Sequence, residues 1–255
     1  MADLPGMTAT AETGFRSEIT DGVLRLTFDR PKRMNAIDLP TMTAFAAAVH
    51  DGGADPAVRT IVITGSGRAF CTGADLAAAA VNPADPKVVM DAATSLIRAI
   101  TSAPVPVIAA VNGPAIGAGL DLACMCDIRI ASDKATFAES FVKVGIVPGD
   151  GGAWLLPRAV GASKAAEMAF TGEALSAEQA LAWGLVNRVV DPAELLPQVC
   201  RVYLAARDSK ALLGGQRHIA ERAEQRPQIS VRVGCRHALP HHPALRRLDQ
   251  PEIAA

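Results

Sequence analysis

The stretch Asn112–Ala131, NGPAIGAGLDLACMCDIRIA, decides the fold. It leaves the apolar run PVPVIAAVNG (104–113) through three small residues, Gly117, Ala118 and Gly119, and passes LDLACMCD before ending in a second β-branched run, IRIAS. The two apolar runs read as buried strands, and LDLACMCD between them as a short helix. Glycines at such a turn let the backbone pass another group closely. One carboxylate, Asp121, stands in the otherwise apolar helix, where an acid rarely lacks a purpose.

Working outward, the same arrangement occurs once upstream. VRTIVITG (58–65) is a buried strand, and GRAFCTGADL turns from it into a helix. There the amides near Thr72 are expected at a helix N-terminus, where partial positive charge favours an anion. GVLRLTF (22–28) alternates like a strand, a helix is entered near Leu39-Pro40, and KVVMDAATSLIRAITSA (87–103) has helical spacing. Past the deciding stretch, GGAWLLPRAVG, SKAAEMAFTG and SAEQALAWGL read as short helices with glycine stops. VNRVV (186–190) is a last strand, and PAELLPQVCRVYLAA a helix entered through proline. Strands alternate with helices, so the class is α/β. The strand-strand-helix rhythm suggests stacked units rather than one open sheet. MADLPGMTATAETGF reads as a loose arm, and helical periodicity is lost from Gln228 onward.

Composition narrows the function. The chain has 255 residues, half of them hydrophobic and a fifth charged, as in a soluble protein with a large core. A net charge of -1 gives no global field for nucleic acid. No uninterrupted apolar run reaches membrane-spanning length and no signal peptide opens the chain, so a cytoplasmic protein is expected. Cys71, Cys124, Cys126, Cys200 and Cys235 are five, an odd number, mostly in apolar stretches, which suits reduced thiols. CMC has no second cluster at zinc spacing, and no metal is expected. His50 reads as a surface residue. Cys71 has no histidine in the surrounding blocks to activate it and reads as packing.

The glycine-rich turns fit none of the common phosphate or nucleophile motifs. Leu122 stands where a dinucleotide fingerprint needs Gly or Ala, GSGRAF lacks the Gly-Lys-Ser/Thr of a phosphate loop, and no Gly-x-Ser-x-Gly occurs. What recurs is a pair of amide donors, and two such donors can hold one developing oxyanion.

RPKRMNAI, AFCTGADL, PVIAAVNGPAIGAGLDLACMCDIRIAS, FAESFVKVGIVPGDGGAWLLPRAVG and FTGEALSAEQALAWGLVNRVV together resemble the enoyl-CoA hydratase/isomerase (crotonase) superfamily, with the blocks in the family's order. The resemblance implies a crotonase-like spiral of repeated β-β-α units over 15–205. It leaves 206–255 as a C-terminal helical or irregular segment at an assembly contact or the CoA entrance. It implies acyl-CoA thioesters as substrates, with coenzyme A part of the substrate and no separate cofactor, and assembly as a homotrimer or dimer of trimers. The backbone N–H groups of Thr72 and Ala118 would grip the thioester oxygen. Ala36, Ala74, Asp75 and Leu76 would line the CoA channel, and Gly117 and Phe141 the acyl pocket.

Two glutamates serve a hydratase of this family. The first aligns with Asp121, one carbon shorter, and the second with Phe141, which cannot carry a proton. FVKVGIVPGDGGAWLLPR also resembles the ring-epoxide phenylacetyl-CoA isomerase branch, which lacks the second glutamate. Asp150 is then the replacement acid, or else an N-cap for the helix that follows. Glu139 lies nearby as a lesser candidate acid, with its usual side toward the core edge or a subunit contact. Three activities follow: an enoyl-CoA hydratase, an acyl-CoA isomerase working through one aspartate, or an acyl-CoA-binding protein with little turnover.

Overall fold

The computed structural model describes residues 13–82 and 84–207. Of the expected C-terminal segment, 206–255, all but the first two residues lie outside the described residues, Cys235, His241 and His242 among them.

Among the described residues, nine strands and eight α-helices alternate. Strand β1 (Phe15–Thr20) was not expected from the sequence. It pairs antiparallel with β2 (Val23–Phe28) across Asp21-Gly22, both at positive φ (51° and 80°), the geometry of a two-residue hairpin. Strands β3 (Thr60–Gly65), β4 (Val107–Val111), β6 (Ile128–Ser132) and β9 (Arg188–Val190) then add in parallel, giving a six-stranded sheet in the order β1-β2-β3-β4-β6-β9. β4 is buried along its whole length, as a central parallel strand must be.

A second sheet is made of very short strands: β5 (Ala115–Ile116), β7 (Thr136–Ala138) and β8 (Leu175–Ser176), in the order β5-β7-β8. The inner long strands therefore each feed a short strand or bridge and then a helix. β4 leads through β5 to α4 (Ala118–Met125). β6 leads through β7 and a 3-10 turn (Ser140–Val144) to α5 (Gly152–Val160). β3 leads through two isolated bridges, Cys71 to Ala115 and Ile37 to Ala74, to α2 (Leu76–Val81) and α3 (Pro86–Thr101). This is the repeated β-β-α spiral. Helix α1 (Leu39–Ala54) packs on α3, and Phe45 of α1 stacks on Phe28 at 4.5 Å with Phe15 edge-on at 5.0 Å. The remaining helices are α6 (Ala162–Thr171), α7 (Ala177–Ala182) and α8 (Leu195–Arg207). No described helix is long and apolar enough to cross a membrane.

Candidate active site

The ends of β3 and β4 are tied together by Asn112. Its Oδ1 accepts from the Gly65 amide at 3.0 Å, and its Nδ2 donates to the carbonyls of Gly67 and Ala69. The turns after the two strands then touch backbone to backbone. The amides of Phe70 and Cys71 both donate to Pro114 O at 3.1 Å, and Ile116 N–H donates to Cys71 O at 3.0 Å. A methyl on Gly119 would lie 2.0 Å from Cys71 O, and one on Gly113 the same distance from Arg68 O. These glycines are there because another backbone occupies the space of a side chain.

That contact brings Thr72, directly after Cys71, beside Ala118, directly before Gly119. A methyl on Gly73 (φ +88°) would stand 3.4 Å from the Ala118 nitrogen. Ala118 is the first residue of α4, whose N–H has no partner within the helix. Neither the Thr72 nor the Ala118 amide donates a hydrogen bond among the described residues. Both residues are half-buried. Thr72 is not at a helix N-terminus as its sequence suggested. Ile37 N–H donates to Gly73 O and Asp75 N–H to Ile37 O, which tie 73–75 to the earlier loop, and α2 starts only at Leu76.

Asp121 lies one turn into α4, with no exposed surface and no hydrogen bond to either carboxyl oxygen. Glu139, directly after β7, is equally sealed, and both its oxygens also lack partners. The two meet at Gly152, the first residue of α5, where a methyl would lie 2.1 Å from Asp121 Oδ1 and 2.5 Å from Glu139 Oε1. Glu139 thus does not face a core edge or a surface. Its register after β7 turns it inward onto Asp121. Burial raises the Asp121 carboxyl well above the usual carboxylate range, and Glu139 and then Asp150 add to this. Burial pushes Glu139 up to about 7, with Asp150 acting in the same direction.

Asp150 is half-buried and close enough to act on Asp121, Glu139 and the Cys71 thiol. Burial raises its own carboxyl as well. It does not cap α5: the N-cap is Gly151, in the left-handed region at φ +94°, and no side chain caps that helix. The Phe141 ring packs 3.8 Å from where a Gly117 side chain would start and forms an apolar wall beside the Ala118 turn. Cys71 is fully buried and its thiol is pushed up to about 12, which leaves it inert at neutral pH.

The sequence profile of the enoyl-CoA hydratase/isomerase family matches residues 18–213. The chain belongs to that family. It is 42% identical over 176 residues to a probable enoyl-CoA hydratase of Rhodobacter capsulatus, covering 69% of this chain and 68% of the relative. It is 40% identical over 180 residues to the 1,2-epoxyphenylacetyl-CoA isomerase of Escherichia coli, covering 69% of each. The crystal structure of an enoyl-CoA hydratase from Mycobacterium avium subsp. paratuberculosis superposes with a TM-score of 0.76 at 33% identity, over 86% of this chain and 87% of that one.

The other expected residues form a strip beside the two turns. The Ile37–Ala74 bridge sets Ala36 alongside Ala74, with Ala74 and Leu76 exposed. Asp75 turns away from solvent. Its carboxylate accepts from the Ala78 amide at 3.0 Å and pairs with Arg30 at 2.8 Å, and its own N–H and C=O are held by Ile37 O and the Ala79 amide. A cavity of about 750 Å³ lies between the edge of the long sheet and α8. Arg16, Arg25, Asn112 and Leu195 are among its lining, and none of Thr72, Ala118, Asp121 or Asp150. The described residues hold no cluster of three or more side chains suited to a metal ion.

Sequence reasoning missed Glu139 as a partner of Asp121. A signal was present in GDGG. Gly151 needs its positive φ, but Gly152 is helical and has no conformational reason to be glycine. A close neighbour is the remaining reason.

Proposed function

We propose that the protein is an acyl-CoA hydratase/isomerase that stabilises a thioester enolate, with hydration of 2-enoyl-CoA as its main reaction. The observation that carries this reading is the pair of unbonded amides, Thr72 and Ala118, on two turns that Gly73 and Gly119 let approach closely, with Asp121 in the first turn of α4. A thioester oxygen seated between the two amides gains charge as an enolate forms. Donors fixed before the reaction stabilise that state more than the ground state.

In hydration, a carboxylate takes a proton from water while the water oxygen bonds to Cβ. The π electrons of the double bond move to the thioester oxygen, and Cα then takes a proton from a carboxyl group. Asp121 supplies this chemistry from α4, while Phe141 keeps one wall apolar. Coenzyme A enters as part of the substrate, along the strip at Ala36, Ala74 and Leu76, and no separate cofactor is called for. Assembly as homotrimers or dimers of trimers belongs to the same proposal. The exposed Val142, Val144, Ile146, Val147 and Phe170 support a contact between copies.

A second reading, double-bond isomerisation through one aspartate, is favoured by the half-buried Asp150 next to the same space. One experiment separates the two. The protein is incubated with a panel of 2-enoyl- and 3-enoyl-CoA thioesters and the products are read by mass and chromatography. Gain of one water from a 2-enoyl substrate supports hydration. A product of unchanged mass and new retention supports isomerisation. No conversion of any thioester sinks both.

A further inference from the structure

In the family pattern the second carboxylate would come from position 141, and here that position is a phenylalanine. The structure nevertheless holds a second carboxylate against Asp121. It comes from Glu139, at the end of the short strand β7 rather than in the turn that follows. Four carboxyl oxygens, two from each residue, are shut away from solvent without a hydrogen-bond partner among the described residues, and the Gly152 amide is the one donor that acts on Asp121, favouring its ionised form. Two carboxylates so close and so dry cannot both be ionised. One proton between them supplies the hydrogen bond that each otherwise lacks.

We propose that Asp121 and Glu139 hold a single proton between them at neutral pH, and that this buried pair, rather than Asp121 alone, is the proton donor and acceptor of the site. Gly152 permits the pairing, since any side chain there would occupy the space where the two carboxyls meet. The groups that act on the pair are all acidic or neutral. Asp150 raises both carboxyls, and the buried thiols of Cys71 and Cys124 lie within the influence of these acids. No lysine, arginine or histidine is among the groups that shift either carboxyl. A lone negative charge with one proton is therefore the state this cluster supports.

The pair balances the hydration. Asp121, ionised while Glu139 keeps the shared proton, accepts a proton from water as the oxygen bonds to Cβ. Asp121 then gives a proton to Cα as the enolate collapses. The pair ends with one proton, as it began, and one water has been added. Glu139 is a positioning residue in this scheme. It acts through Asp121, by fixing where the shared proton sits.

The chemistry rests on the acyl-CoA reading, but the shared proton does not, and the test keeps them apart. Infrared difference spectra of the unliganded protein are recorded across neutral pH for wild type, Asp121→Asn and Glu139→Gln. The expected result is a protonated-carboxyl band at neutral pH in wild type that both substitutions remove. Glu139→Gln also lowers turnover on the best thioester by at least about 10²-fold and moves the pH limb of kcat, whereas Glu139→Asp restores part of both. A purely structural Glu139 would move neither the band nor the pH limb. Gly152→Ala, which forces the carboxyls apart, should reproduce the shifted limb. Wild type without the band at neutral pH, or a band that survives both substitutions, overturns the proposal whether or not any variant folds poorly. A band present with no thioester converted leaves the pair standing and removes the acyl-CoA reading. Conversion without the band does the reverse.

Discussion

Replacing Gly119 by alanine strikes the contact that sets the two amide donors. The new methyl would sit 2.0 Å from Cys71 O and 2.7 Å from its carbonyl carbon. Ordinary contact begins near 3.4 Å, so α4 and the Cys71 backbone must part by about 1.4 Å. Neither side yields cheaply, because Cys71 is tied to Pro114 and Ile116 by backbone hydrogen bonds and Gly119 is inside a helix. The separation opens between Thr72 and Ala118, the neighbours of the two clashing residues. A displacement of about 1 Å at a reacting centre costs on the order of 10²-fold in rate. Overpacking of this kind costs about 1–3 kcal/mol in stability. Steady-state kinetics on the best thioester of the panel, alongside urea denaturation, read both effects. The fall is expected in kcat more than in KM, because the amides act on the charge that develops in the transition state. A Gly119→Ala protein with an unchanged denaturation midpoint and turnover within about three-fold of wild type refutes the reasoning.

The remaining predictions concern charge. Asp75→Asn weakens both the cap of α2 and the Arg30 pair, and should destabilise the protein by about 1 kcal/mol near neutral pH. The Ala78 amide first, and then Arg30, hold the Asp75 carboxyl below its ordinary value, so its contribution is present above about pH 4 and is lost as pH falls through the lowered folded value. Urea midpoints of Asp75→Asn and wild type should therefore converge in acid. Glu139 has the opposite sign. Its folded carboxyl is raised to about 7, so the folded state binds more protons than the unfolded one and stability falls as pH rises from about 5 toward 8. Glu139→Gln should flatten this loss in the same urea titration. Asp150→Asn should leave urea stability close to wild type, since it bonds to no helix end. It should lower isomerisation of a 3-enoyl thioester by at least about 10²-fold if that activity is present.

The long elements were legible because burial wrote them into the sequence. Strands β3 and β4 are continuous β-branched or small apolar runs, as strands covered on both faces must be. Helix α3 keeps Ala93, Leu96 and Ile100 on one face, at the spacing its sequence shows. Strand β1 was not legible: only Phe15 is buried, and its pairing depends on the Asp21-Gly22 turn. The strands β5, β7 and β8 are two or three residues long and exist only through partners distant in sequence. The same limit applied in the site. Asp121, Asp150 and the two turns stand in local motifs, and each was named from them. Glu139 meets Asp121 through the register of β7 against β5, and no local pattern carries that register. The path after Thr72 is set by Ile37, which pairs across from an earlier loop.

The central claim is that the Ala118 amide, with that of Thr72, holds a developing oxyanion, and Ala118→Pro tests it most directly. Ala118 is the first residue of α4, a position that accepts proline without losing an intrahelical hydrogen bond. The substitution deletes the N–H and puts ring carbon in its place. The account predicts a cooperatively folded protein with kcat on the best thioester reduced by 10²–10³-fold, about 3–4 kcal/mol of lost transition-state stabilisation. A folded Ala118→Pro protein that keeps turnover within about ten-fold of wild type would contradict it.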